Sequence, residues 1–170
     1  MARKHPSRVP SRAVKFVAFW ETGGVLPNNG YPYNDPAGYA TTGYGHLIAL
    51  RGVTQGDIDK WGQLTERQAR MLLAKDLESA AMQVRRLITV PLNRRQFSAL
   101  ISFVYNLGAG ALEESTLRRL LNDGNYASVP HQLSRWNQAG GVVMQGLTNR
   151  RRAEGRMFRP LRRPNPLFWR

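Results

Sequence analysis

The chain is 170 residues long and 42% apolar, enough for one domain with a sizeable core, and no low-complexity tract marks it as disordered. It has no cysteine, which excludes disulfides, thiol nucleophiles and thiolate metal sites. Its three histidines, His5, His46 and His131, show no metal-ligand spacing, so neither a metal nor another cofactor is expected. Against 11 acidic residues stand 25 basic ones, a formal charge of +14 that favours anionic polymers without choosing among nucleic acid, acidic wall glycans and lipopolysaccharide.

The stretch from Met1 to Arg12 is basic and interrupted by Pro6 and Pro10. The apolar run that follows, Ala13 to Trp20, ends at Glu21; it is too short to span a bilayer and lacks a small-residue cleavage site, so no cleavable signal is expected. Ser11 is placed to cap a first helix over Arg12 to Trp20 or just beyond, with Glu21 near its C-terminal end. The segment TGGVLPNNGYPYNDPAGYATTGYGH is dense in turn residues and predicts short strands in a small antiparallel sheet. Asp57 and Asp59 fall in what reads as a polar turn.

Thr65 with Gln68 forms a capping box. Behind it Ala69, Leu72, Leu73, Leu77, Ala80, Val84, Leu87 and Ile88 keep helical spacing, so a helix runs to about Leu87 and stops before Pro91. Asn93 with Gln96 repeats the signal ahead of a helix from about Arg94 to Leu107. That helix is apolar almost all round, the mark of a central buried one, and Gly108 and Gly110 end it. Ser115 caps a short helix to about Asn122, closed by Gly124. Another helix starts near Ser128, tolerates Pro130 in its first turn and carries Trp136. A last helix covers about Leu147 to Phe158, after the pair Gly140 and Gly141. A β-rich lobe followed by helices is an α+β arrangement.

Most of the acids read as solvated helix faces or caps, among them Glu66, Asp76, Glu78 and Glu113. Glu21 and Asp35 differ. Glu21 follows the apolar run ending in Trp20, a setting that favours a protonated carboxyl. Asp35 lies in a loop between Asn34 and Pro36, where a carboxylate stays hydrated and ionised. Two carboxyls in opposite settings are what glycosidic cleavage needs: one protonates the leaving oxygen, the other manages a water or the cationic centre. Taken singly, each also has a plain structural reading, as a helix-end glutamate and a turn aspartate.

The segment from Glu21 to His46 resembles the phage-type lysozyme (endolysin) family of glycoside hydrolases. That family has a Glu at the end of its first helix and an Asp in a small β-lobe. Six residues after the Asp comes a Thr opening a T-x-G-Y-G-H signature, here Thr41-Thr42-Gly43-Tyr44-Gly45-His46. Further blocks follow in the family's order. Gln96 to Gly108 is similar to its central helix, and Ser115-Thr116-Leu117, Leu121-Asn122-Asp123-Gly124, Trp136 and the run Gly146 to Glu154 to its later parts. The resemblance covers nearly everything between Ser11 and Phe158. It implies a lysozyme-like fold with a small β-rich N-terminal lobe and a larger helical lobe. It implies Glu21 as general acid, Asp35 as second carboxylate, Thr41 rather than Thr42 holding the attacking water, and Arg150 pairing with the catalytic Glu. His46 has a core or hydrogen-bonding role there, Tyr44 and Asn106 line the cleft or pack, and Trp136 belongs to the core. One departure is the segment between Glu21 and Asp35, which is longer than is usual in the family; a surface loop tolerates such an insertion.

The expected activity is hydrolysis of peptidoglycan glycan strands by a monomer, with residues 1–170 as a single domain, 11–158 as its core and 159–170 as a basic tail rich in Arg, Pro and aromatics. That tail belongs to the arginine cluster between Arg150 and Arg170, and reads either as a surface-binding segment or as a solvated terminus. Anionic envelope polymers are further expected partners. Nucleic acid is not, because no recognisable nucleic-acid module is present. The family suggests synthesis in the host cytoplasm and action on the wall after release through a holin-like pore. Two rivals are a lytic transglycosylase, which needs no water-positioning carboxylate and is disfavoured by the Asp35-to-His46 element, and a cationic protein that disrupts membranes by charge.

Overall fold

The computed structural model describes residues 4–160. Helix α1 (Ser11–Thr22) leads into β1 (Tyr33–Asn34), β2 (Ala40–Thr42) and β3 (His46–Ala49). Helices α2 (Gln55–Trp61), α3 (Glu66–Leu87), α4 (Arg94–Leu107), α5 (Ala109–Glu113), α6 (Thr116–Asn122) and α7 (Val129–Ser134) follow. A hairpin of β4 (Gln138–Ala139) and β5 (Val142–Val143) and helix α8 (Gln145–Phe158) complete the order. The three N-terminal strands form one antiparallel sheet in the order β1-β2-β3 ahead of the helices, so the α+β expectation holds. Among the described residues no helix is long and apolar enough to cross a membrane.

The helical lobe is built around α4. From Phe97 to Val104 every residue is buried without a break, as its all-round apolar sequence requires. Helices α1, α3 and α8 pack against it. The two capping boxes form as read: Thr65 Oγ1 accepts from the Gln68 amide at 3.3 Å, and Asn93 Oδ1 from the Gln96 amide at 3.0 Å. Gly108, at φ +85°, ends α4, but Gly110 lies inside α5 and ends nothing.

Several boundaries differ from the sequence reading. Pro10, not Ser11, precedes α1, and Ser11 is its first residue; among the described residues no side chain caps the helix. Residues 126–128 form a 3-10 turn, and α7 ends at Ser134, so Trp136 lies beyond the helix rather than on it. Trp136 still packs edge-on against Phe103, with ring centroids 5.4 Å apart. The supposed polar turn at Asp57 is helix α2. There Thr54 and Asp57 cap each other, and Asp57 is buried. Of the basic tail, residues 161–170 lie outside the described residues.

The long segment after Glu21 is docked rather than loose. Gly30, at φ +92°, accepts a hydrogen bond from the Leu64 amide at 3.0 Å, and a Cβ there would collide with the Leu64 carbonyl oxygen. The Gln63 side-chain amide donates to the Asn29 carbonyl at 2.9 Å. The β-lobe is tied to α3 a second time, where His46 Nδ1 meets the Asp76 carboxylate at 3.0 Å while its ring packs on Trp61. Asp76 is thus an interlobe partner and not a solvated acid.

Candidate active site

Helix α1 ends because Gly23 takes the left-handed conformation at φ +70° and returns its amide to the Phe19 carbonyl. That leaves Glu21 in the last turn, with its side chain 31% exposed. It is not sunk in an apolar niche as the flanking sequence suggested. Its Oε1 accepts a hydrogen bond from Arg150 Nη1 at 2.9 Å, across 129 residues of chain. Arg150 comes from the second turn of α8 and its side chain is only 6% exposed.

Asp35 opens the β1–β2 turn. Its Oδ1 accepts from the amides of Ala37 at 2.9 Å and Tyr39 at 2.8 Å, which folds the carboxylate over its own turn. The Tyr39 carbonyl accepts from the Asp35 amide at 2.9 Å and from Thr41 Oγ1 at 3.0 Å. One peptide segment therefore anchors both Asp35 and Thr41. The ladder between β2 and β3 slips between Ala40 and Thr41, where Ala40 pairs with Ala49 and Thr41 with Leu47. Such a bulge re-aims the side chains beside it. Thr42 is fully buried and its hydroxyl has no partner among the described residues.

Two phenols report on how these groups are gathered. The Tyr33 hydroxyl is pushed up by burial first, pulled down by a backbone hydrogen bond at Gly45, and raised further by the charges of Asp35 and Glu21. Tyr105, on α4, is pushed up to about 12 by burial, with Glu21 and Asp76 adding to the effect and Arg150 opposing it. Tyr33 thus sits within electrostatic reach of both candidate carboxyls. Tyr105 senses Glu21, Arg150 and the interlobe Asp76 together.

The remaining candidates separate. His46 is half-buried on Asp76, a hydrogen-bonding position between the lobes. Tyr44 is 2% exposed and belongs to the hydrophobic core, its hydroxyl without a partner among the described residues. Asn106 accepts from Arg151 Nη2 at 2.9 Å, so it serves a buried network behind the site.

That network is what sequence reasoning missed. Glu154 and Arg151, both on α8, are fully buried. Glu154 Oε1 accepts from Ser102 Oγ at 2.7 Å and from Arg151 Nη2 at 3.0 Å, and lies 3.6 Å from Arg150 Nε. Burial pushes the Glu154 carboxyl up, to about 7, against the opposing pull of Arg151, Ser102 and Arg150. Burial likewise lowers Arg151, with Glu154 opposing. In the sequence these residues stand as three arginines, Ala153 and Glu154 inside the block Gly146 to Glu154, a pattern that by itself reads as a solvated helix face.

The comparisons with known proteins agree with this architecture. The phage lysozyme family profile matches residues 28–154, beginning just after Glu21. The endolysin of Bacillus phage B103 is 38% identical over 120 residues, which are 71% of this chain and 43% of that protein, so the chain spans under half the length of that relative. The SAR-endolysin of Bacteriophage PS119 is 41% identical over 123 residues, covering 72% of this chain and 70% of its own. Among solved structures, the endolysin from Escherichia coli O157:H7 phage FAHEc1 superposes with a TM-score of 0.73 at 30% identity, over 93% of this chain and 97% of that one. The muramidase domain of SpmX from Asticaccaulis excentricus gives 0.70 at 26% identity, over 90% of this chain and 98% of that one. A profile spanning most of the chain, relatives of this identity and a shared fold lead to one conclusion: the chain belongs to the phage lysozyme family.

Proposed function

We propose that this chain is an endolysin that hydrolyses the β-1,4 bond between N-acetylmuramic acid and N-acetylglucosamine in bacterial peptidoglycan, with Glu21 as general acid and Asp35 and Thr41 handling the water. The observation that carries this reading is the buried Arg150 guanidinium on Glu21 Oε1 at 2.9 Å, together with the Tyr39 carbonyl that anchors both the Asp35 amide and the Thr41 hydroxyl. Arg150 engages Glu21 Oε1 and leaves Oε2 to carry the proton. That proton passes to the glycosidic oxygen as its bond to the anomeric carbon breaks. Asp35 takes a proton from the attacking water, which closes on the anomeric carbon from the opposite face and inverts it. Thr41 spends its hydroxyl proton on the Tyr39 carbonyl, so its lone pairs remain to accept from that water. Arg150 then stabilises the carboxylate left on Glu21.

Basic side chains supply a second contact with the envelope. Arg12, Lys15, Arg95 and Arg156 line one open concavity, and His131, Arg152, Arg156 and Arg159 line another beside it. Among the described residues neither has an acidic side chain in its lining, and both suit anionic wall or membrane polymers.

The test uses purified peptidoglycan and the full chain. The parent should release muropeptides with ordinary reducing ends, and Glu21→Gln should fold normally yet lose roughly 10²–10⁴-fold in rate. Release of 1,6-anhydro ends would replace hydrolysis by transglycosylation. A Glu21→Gln protein as fast as the parent would overturn the assignment of the acid.

A further inference from the structure

Arg150 is gripped from two sides. Its Nη1 faces outward to Glu21, whereas Nη2 reaches back to Ser102 Oγ at 3.4 Å and Nε to Glu154 Oε1 at 3.6 Å. An arginine carries about 2 kcal/mol of rotamer entropy, so a single contact at the rim of a cleft would leave this guanidinium poorly fixed. The inner grip supplies the rest.

Glu154 is costly as mere filling. Taking a carboxylate out of water costs several kcal/mol, and apolar residues of similar volume commonly stabilise as well or better. Its carboxylate is also used unevenly: Oε1 receives every contact, and Oε2 has no partner among the described residues. All contacts on Oε1 come from groups that surround or balance Arg150. Ser102 and Asn106 lie one turn apart on α4, on the face that α8 covers, so the network crosses the α4–α8 interface and takes its geometry from two packed helices.

Charge explains the second arginine. With Glu154 alone behind it, Arg150 would be drawn inward, away from Glu21. Arg151 donates to the same Oε1 atom, while Asn106 and the face of Phe103, 5.3 Å from its guanidinium carbon, hold it in place. Two guanidiniums against Glu154 and Glu21 give no net charge when both acids are ionised. Two titratable neighbours outside this set face Glu21: Tyr33 from the β-lobe, which also faces Asp35, and Tyr105 from α4, which also faces Asp76 and Arg150.

We propose that Glu154, bridged by Ser102 and balanced by Arg151, is a positioning residue that fixes Arg150 against the carboxyl of Glu21. The proposal rests on the reading of Glu21 as the acid, and it assigns Glu154 no contact with substrate. Positioning acts on the reaction step rather than on sugar binding.

The experiment measures kcat and KM on a soluble glycan-strand substrate, well below the melting transition, with circular dichroism confirming the folded state. Glu154→Gln keeps the shape and removes the charge; kcat should fall at least about tenfold while KM stays within about twofold. The pair Arg151→Met with Glu154→Gln removes the stranded buried cation along with its partner. It should regain thermal stability over Glu154→Gln alone and still show the depressed kcat. Ser102→Ala should lower kcat by a smaller factor in the same direction. If kcat per folded molecule is unchanged in Glu154→Gln, or returns to the parent value in the double variant as stability returns, Glu154 is structural only and the proposal is wrong. Should Glu154→Gln fail to fold, the double variant and Ser102→Ala decide by the same criteria. A parent whose activity does not depend on Glu21 would instead overturn the functional reading beneath it.

Discussion

Asp57 shows how much one side chain can hide from a pattern-based reading. Its carboxylate takes two bonds from Arg51, at 2.5 and 3.1 Å, and two from Thr54, at 2.8 and 2.9 Å. Arg51 first, then Thr54, holds it well below the ordinary carboxylate value of 3.8. A depressed folded value means that the contribution to stability is present above pH 3.8 and drains away as the pH falls. Asp57→Asn should therefore be less stable than the parent near neutrality and show a shallower decline into acid, read from urea midpoints at pH 6 and pH 3. Thr54 and Asp57 form a T-x-x-D cap legible in principle, but the seven residues of α2 carry too few apolar positions to announce a helix. Glu154 and Arg151 were illegible for a different reason. A charged residue is buried only when other parts of the chain supply its partners, here Ser102 and Asn106 on α4.

Among the elements, those with complete local signals emerged where the sequence placed them. Both capping boxes, the apolar run of α4 and the Ser115 cap are each written within four residues of where they act, so α3, α4 and α6 needed no tertiary information. The segment between Glu21 and Asp35 is the contrary case. Read as an insertion that a surface loop tolerates, it is pinned by Gly30 against Leu64 and by Gln63 against Asn29. Gly30→Ala puts a methyl group into the Leu64 carbonyl at a backbone angle L-residues avoid, and should cost about 1–3 kcal/mol or more. Thermal unfolding measures that cost. Proteolysis within 22–34 should also accelerate in this variant; resistance equal to the parent's would show that the docking is not held there.

At the scale of the molecule, the +14 charge is gathered partly into two basic concavities that share Arg156. If they concentrate the protein on anionic envelopes, lysis of whole cells should weaken between about 0.05 and 0.3 M salt as the screening length shortens. Cleavage of a neutral soluble glycan should stay nearly flat. Turbidity and reducing-end assays run across one salt series separate the two, and an equally flat response on cells would leave the charge without this role. The sequence by itself determined the α+β class, the order and type of the long helices and the family, because capping, helical periodicity and the T-x-G-Y-G-H block are local and carried within short stretches of chain. Only the tertiary structure decided which acids are solvated and which are buried, that Asp76 ties His46 of the β-lobe to α3, and that Ser102, Asn106, Arg151 and Glu154 form one buried network, whereas the Arg150–Glu21 pair was already implied by the family resemblance. Those outcomes depend on which distant groups exclude water from one another, and water exclusion is a property of packed surfaces.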